Sequence, residues 1–246
     1  MYVEFVADLH IHTCLSPCAE LSMTPSGIVE RAASLGINII AICDHNSVEN
    51  IEVTKKLARG KGINVIAGME INSSEEVHVL GLFGNIESAL KMQTVVYENL
   101  QPGENNEELF GMQVVVNEIN EVLGFNKRLL IGSTNLSVNK IVELVHGLNG
   151  IAVASHIDRD VFGIIGQLGF IPRELEFDAL EISGRIELDK ALEKFKSYRY
   201  IPWVFSSDAH RIEDIGRRAT RFLMNHSTFE ELSLALKGVD GRKVGF

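Results

Sequence analysis

Residues 3–13 read VEFVADLHIHT, a run rich in apolar, β-branched and aromatic side chains that ends in two histidines one residue apart. Alternate residues of a strand share a face, so His10 and His12 can reach one ion together. Further stretches repeat this plan of an apolar run closing on metal-ligand residue types: IIAICDHNS at 39–47, VIAGMEINSSEEVHVLG at 65–81, IAVASHID at 151–158 and VFSSDAHR at 204–211. The expected strands are Val3–Asp8, Ile37–Cys43, Val65–Ile71, Val77–Phe83, Ile151–Ser155, Ala179–Ile182, Trp203–Ser206 and Thr220–Met224. Amphipathic segments lie between them. Thr24-Pro25 is a helix start and Gly36 a stop. Ser47–Arg59 ends at Gly60, and Asn139–Leu148 carries apolar residues at a helical period. Leu188, Ala191, Leu192 and Phe195 line one face of another helix. Alternating strands and helices read as an α/β chain. The 246 residues suit a single barrel domain spanning 1–246.

In a closed parallel barrel all strand C-termini open onto one face. His10, His12, Asp44, His45, Glu70, His156, Asp208 and His210 would then meet at one mouth, with His78 in the fourth run. A lone histidine near a strand end is ordinarily a hydrogen-bonded core residue. The coincidence argues otherwise, because six of the eight histidines fall in or just after expected strands. The remaining two, His146 and His226, lie on a helix and in a loop and serve as controls. Glu70 has two oxygens and can bridge two cations. Imidazole and carboxylate together suit Zn, Mn or Fe better than Ca or Mg. Asp8 and Asp44 are expected to orient neighbouring histidines.

Composition narrows the classes. About half the chain is apolar at 46%, yet no stretch approaches the ~18 apolar residues of a membrane span. Met1–Phe5 has neither a basic lead nor a long apolar core, so no signal peptide is expected, and a cytoplasmic location follows. Three cysteines, Cys14, Cys18 and Cys43, point to free thiols or metal binding rather than a disulfide framework. A net charge of −10 counts against broad nucleic-acid binding by charge alone. Residues 84–136 break the alternation, with a helix expected near Ile86–Leu100, a polar turn at Gly103–Glu108 and a hairpin around Asn120–Leu130. This insertion is either a surface excursion or a lid over the mouth.

The motifs DLHIHT, CDHNS, GMEINSSEEVHVLG, ASHID and SSDAHR, running from Asp8 to Arg211, resemble the PHP family, named for polymerase and histidinol phosphatase. The resemblance implies a distorted TIM-like (β/α)7 barrel, up to three divalent ions and hydrolysis of phosphoesters. It implies a first metal at His10, His12, Glu70 and Asp208, with Glu70 bridging to a second at His78 and His156. His45 and His210 would hold a third. Many members complete that third site with an Asp in a Ser-Asp-Gly context. Here the chain reads Ser16-Pro17-Cys18-Ala19-Glu20, so Cys18 or Glu20 would have to substitute.

The expected chemistry is attack on phosphorus by a water activated between paired metals, with Glu70, Asp208 and His156 as the catalytic set. Arg159, Arg185 and Arg211 follow expected strands and are candidates for phosphate binding, whereas Arg217, Arg218 and Arg221 are expected further from the mouth. The leading expectation is a phosphatase or phosphodiesterase for a small phosphorylated metabolite or nucleotide. The alternatives are an exonuclease on oligonucleotide ends and a non-catalytic, metal-stabilised regulatory module. Filled ligand positions count against the last. The sequence leaves oligomeric state open.

Overall fold

The computed structural model describes residues 2–245 and sets strands β1 (Val3–Ile11), β2 (Ile39–Ile42), β3 (Asn64–Asn72) and β4 (His78–Phe83) in the first third of the chain. Helices α1 (Pro25–Ser34) and α2 (Ile51–Ala58) connect the first three. Thr24 caps α1 by accepting a hydrogen bond from the Gly27 amide, and Pro25 opens its first turn. The insertion follows as α3 (Ile86–Asn99), α4 (Glu107–Phe110), β5 (Val114–Val116) and β6 (Val122–Phe125). The remainder is α5 (Val138–Gly147), β7 (Ile151–Ala154), α6 (Ile164–Leu168), β8 (Ala179–Ile182), α7 (Leu188–Lys194), β9 (Trp203–Phe205), β10 (Thr220–Met224), α8 (Phe229–Leu236) and β11 (Lys243–Gly245).

The expected α/β barrel is what forms, as a nearly closed sheet in the order β11-β10-β1-β2-β3-β4-β7-β8-β9. A parallel bridge between Ile11 and Ala209 joins the end of β1 to the segment after β9 and draws the two sides together at the mouth. One expectation fails. The ring is not all parallel, because β4 runs antiparallel to both β3 and β7, and β10 antiparallel to β1 and β11. The five residues 73–77 are too few for a parallel crossover and make a hairpin instead. His78 therefore begins β4 opposite Asn72, at the same end of the ring as the C-terminus of β3.

Alternation along the strands separates two packed layers. Ala41, Cys43, Ile66, Leu80, Leu82, Val153 and Val204 pack together inside the ring with Leu232, Ala235 and Leu236 of α8. Ile40, Ile42, Val65, Ala67 and Met69 face outward, in the larger cluster that includes Ile28, Val29 and Ile51 of the helices. Within β1, Ala7 and Leu9 belong to the inner layer and Ile11 to the outer. The pairing with β2 shifts register between Asp8 and Ile11. Such an irregularity re-aims side chains, and it gives His10 and His12 the inward positions at the mouth.

The insertion's hairpin lies earlier than the expected Asn120–Leu130. Asn117 sets its turn by accepting from the Ile119 and Glu121 amides at 3.1 and 2.9 Å. Asn120 takes the left-handed φ of 63°, which Asn tolerates. The insertion is tied to the mouth loops rather than standing off the surface. The Val114 amide donates to the Cys14 carbonyl at 2.9 Å, and Asn46, beside His45, donates to the carbonyls of Leu130 and Gly132 at 2.8 Å each.

Gly68 illustrates how tightly the interior is filled. A Cβ there would lie 2.4 Å from Cys43 Sγ and 2.8 Å from the Ile42 carbonyl oxygen. Gly68→Ala should therefore destabilise the fold by ~1–3 kcal/mol in denaturant unfolding. Gly147→Ala, at the end of α5 with nothing within 4 Å of the new Cβ, should be neutral or mildly stabilising. Equal stabilities for the two variants would contradict this packing.

Candidate metal centre

Each ligand-type residue at the mouth is placed by backbone pairing between neighbouring segments. The His12 amide donates to the Ala209 carbonyl at 3.0 Å and the Ala209 amide to His10 at 3.3 Å, which fixes the His-x-His strand end beside Asp208. The Glu70 amide donates to Asp44 at 3.1 Å and the Asn46 amide to Glu70 at 2.9 Å, so His45 sits against Glu70. The Ser155 amide donates to His78 at 3.2 Å, next to His156. His156 and Asp208 adopt positive φ angles of 25° and 50°, conformations that cost energy for residues with a side chain and cluster at functional sites.

Three groups of donor atoms result, each with its atoms within 4.8 Å of one another. In the first, His12 Nε2 lies 3.1 Å from His10 Nε2, 3.1 Å from Asp208 Oδ1 and 3.3 Å from Glu70 Oε2. In the second, Glu70 faces His45 and His78, with His78 Nδ1 at 2.8 Å from Oε1 and His45 Nδ1 at 3.3 Å from Oε2. His156 Nε2 approaches the same Oε1 at 3.2 Å. The third combines His12, Cys18, His45 and His210, with Cys18 Sγ 3.1 Å from His210 Nε2. Glu20, the other candidate for that position, is exposed and pairs with Arg211 at 3.1 Å. Of the two control histidines, His146 pairs with Asp178 at 2.9 Å, and neither it nor His226 lies in a donor group among the described residues.

The donor set fits divalent ions. His10 Nδ1 faces Glu181 at 3.0 Å and His12 Nδ1 faces Ser16 Oγ at 3.0 Å, so both rings can donate through Nδ1 and turn an Nε2 lone pair inward. With both rings neutral those lone pairs would meet carboxylate oxygens with no hydrogen between them, so the cluster takes up either protons or a cation. His45 Nδ1 is buried without a hydrogen-bond partner, as a metal-facing nitrogen is before binding. Burial works against charge on Glu70 and Asp208, but the surrounding histidines hold both carboxyls well below the usual range. Burial likewise opposes protonation of His12, yet its bonds to Asp208 and Glu70 raise it to about 9. His10 is raised as well, burial being outweighed by Glu181, Asp208 and Glu70. For His45 and His78 burial prevails and both are lowered. Burial, reinforced by Glu70 and Asp208, pushes the Cys18 thiol up, so it ionises only against a cation.

The supporting shell departs from expectation. Asp8 touches no imidazole; it accepts from the Ser207 and Gly216 amides at 2.9 and 3.0 Å and ties β1 to the loop after β9. Asp44 acts on His12 at one remove, accepting from Ser16 Oγ at 2.7 Å while that oxygen meets His12 Nδ1. Glu181 was not anticipated, although a lone carboxylate in the apolar run ALEI was a readable signal. It is 1% exposed and also accepts from the His156 amide at 3.0 Å. Beside the cluster opens a cleft of about 620 Å³ lined by Arg159, Arg185, Arg217 and Arg218 with Asp208 and His210. Arg159 contacts Asp208 directly. Arg217 and Arg218, expected away from the mouth, face it, while Arg211 pairs with Glu20 and Glu213 outside the cleft lining. Arg221 pairs with Glu4.

The family model for the PHP domain matches residues 8–164, a span containing His10, His12, His45, Glu70, His78 and His156. The chain belongs to the PHP family. A second model, PHP-associated, matches residues 186–238. The fold is similar to that of the lesion-specific endonuclease PfuEndoQ from Pyrococcus furiosus, with a TM-score of 0.76 and 23% identity over 98% of this chain and 58% of that one. It is also similar to Endonuclease Q in complex with a 27-mer duplex substrate carrying an abasic lesion at the active site, with a TM-score of 0.75 and 22% identity over 98% and 58%. A protein from Bifidobacterium adolescentis described as a metal-dependent phosphoesterase gives a TM-score of 0.57 at 17% identity, covering 83% and 87%. This chain thus spans 58% of the length of either endonuclease. No curated protein sequence matches it. The similarity to an endonuclease bound to duplex DNA overturns the expectation of a small phosphorylated partner and of little role for nucleic acid. Net charge misled because it averages over a surface, whereas the cleft gathers four arginines. Among the described residues no helix is long and apolar enough to cross a membrane.

Metal affinity of this PHP domain should rise with pH. Below about 9 the metal-free protein carries a proton on His12, and His10 is raised in the same direction. Binding needs both rings neutral, so each proton displaced weakens binding about tenfold per unit fall in pH. Mn or Zn titrations at pH 6.5, 7.5 and 8.5 should give steadily tighter binding, and pH-independent affinity across that range would contradict the protonation scheme.

Proposed function

We propose that this PHP domain hydrolyses phosphodiester bonds of a nucleic-acid strand laid in the arginine-lined cleft. The observation that carries the reading is that cleft: four arginines in a chain of net charge −10, opening directly onto the buried donor cluster. Guanidinium groups bind phosphate through paired, charge-assisted hydrogen bonds. Arg185 forms no ion pair among the described residues and is free to take a phosphate, while Arg159 reaches both the cleft and Asp208.

His10, His12, Glu70 and Asp208 would hold a first ion. Glu70, His78 and His156 would hold another, with His45 close by. Cys18, His45 and His210 would hold a third, where the thiolate favours Zn over Mn. Bound divalent ions supply a water that is nucleophilic near neutral pH and offset charge on the phosphoryl oxygens. The chain contributes placement. Glu181 holds the His10 ring and the His156 amide in position, and the Asp44–Ser16 pair holds His12. Arg159 and Arg185 orient the phosphodiester, and little covalent help is required beyond positioning and charge stabilisation.

Labelled single- and double-stranded oligonucleotides, intact or carrying a lesion, should be cut by the purified protein with Mn or Zn. Glu70→Ala and His156→Ala should lower the rate by several orders of magnitude while the fold, followed by circular dichroism, persists. Arg185→Ala should mainly raise KM, by about tenfold or more for a lost charge-assisted contact. Metal-loaded, folded protein that leaves every such oligonucleotide intact would reject the reading.

A further inference from the structure

Residues 157–163, IDRDVFG, follow His156 and form a short loop that returns to the donor cluster twice. Arg159 contacts Asp208. Three residues on, Phe162 lays its ring over His78, with centroids 4.4 Å apart and planes inclined by only 8°. The Phe162 carbonyl also accepts from the His78 amide at 2.9 Å. One residue therefore holds both the backbone and the ring of His78.

Two observations mark this contact as more than packing. Phe162 has a φ of 61°, and a bulky aromatic in the left-handed region is an outlier that its surroundings must hold in place. The loop supplies that hold. Asp158 accepts from the Ser183 amide and hydroxyl at 2.7 Å each, and the Arg159 amide donates to the His156 carbonyl at 2.9 Å. Core burial does not account for the conformation, because Phe162 is only partly buried and belongs to none of the packed apolar clusters. The second observation is which side of His78 the ring covers. His45 and His156 meet His78 edge-on, with centroids at 5.3 and 5.4 Å, whereas Phe162 lies on its face. Both nitrogens of an imidazole lie in the ring plane, so a contact on the face competes with neither. The 2.8 Å contact between His78 Nδ1 and Glu70 lies at the ring's edge, where an ion can take its place.

We propose that Phe162 is a positioning residue of the metal centre. Held in a strained conformation, it fixes the plane of the His78 imidazole so that this ring meets an ion together with Glu70 and His156. The inference rests on His78 being a ligand, and it is independent of which phosphodiester the centre cleaves.

The test is a Zn titration of the chelator-stripped full chain, read by competition with a chromophoric chelator. Wild type sets the reference, and His78→Ala shows which binding step depends on that ring. Phe162→Leu and Phe162→Gly should weaken the same step by about three- to tenfold, the worth of an aromatic pair, and leave the other steps unchanged. Phe162→Tyr, which keeps the stack, should restore it. In the metal-free chains Phe162→Gly should have a higher denaturant midpoint than Phe162→Ala, because glycine takes a positive φ without cost. A His78-dependent step unaltered in Phe162→Leu and Phe162→Gly would overturn the proposal. So would equal weakening of every step, which marks a merely structural role, or a Phe162→Tyr chain no better than Phe162→Leu. A Phe162→Gly chain no more stable than Phe162→Ala would overturn the strained conformation on which it stands. Failure of the underlying reading looks different: wild type then binds no Zn, or His78→Ala alters no step, and this inference falls with it.

Discussion

Glu70 is where the fold and the chemistry meet. Its carboxylate is 1% exposed and lies within 3.4 Å of nitrogens from His10, His12, His45, His78 and His156. A buried anion is costly unless paired, and no lysine or arginine contacts Glu70 in the described structure. Imidazoles from β1, the β2 loop, β4 and the β7 loop have to converge on it, so the ring of strands must close and each strand must end at one level. The glycine at position 68, two residues back on the same face, shows how little space remains beneath.

Much of this was legible because the strand period and the ligand positions are local properties. β8 and β10 fall where the apolar runs put them, and the donor groups collect the histidines that close those runs. What escaped was non-local. The direction of β4 depends on counting five connecting residues rather than on composition. The role of Glu181 depends on which ring lies opposite it, and the inward turn of His10 on a register shift that no periodicity displays. Arg217 and Arg218 reach the cleft because the chain after Asp208 folds back across it, a path set by Asp8 accepting from the Gly216 amide.

The insertion had two competing readings, and its contacts show why the contrast was too sharp. Its hairpin packs Val114 and Val116 on Cys14, and Gly111 lies so close to Pro17 that a Cβ would meet the Pro17 carbonyl oxygen at 2.3 Å. The loop that bears Cys18 is thus braced from outside. Sequence shows that such a segment is extra, but not which loop it presses on.

Consider the seam between β1 and β9 in time rather than in space. His12 and Asp208 are 196 residues apart along the chain and 3.1 Å apart in the fold. Bringing them together costs about 5 kcal/mol of chain entropy before any constant term. During synthesis His10, His12 and Glu70 emerge long before Asp208 exists, and they wait as an incomplete ligand set while most of the barrel is made. Any ion shared by His12 and Asp208 then acts as a clasp on a nearly finished ring. Assembly of the centre and completion of the fold become a single late event.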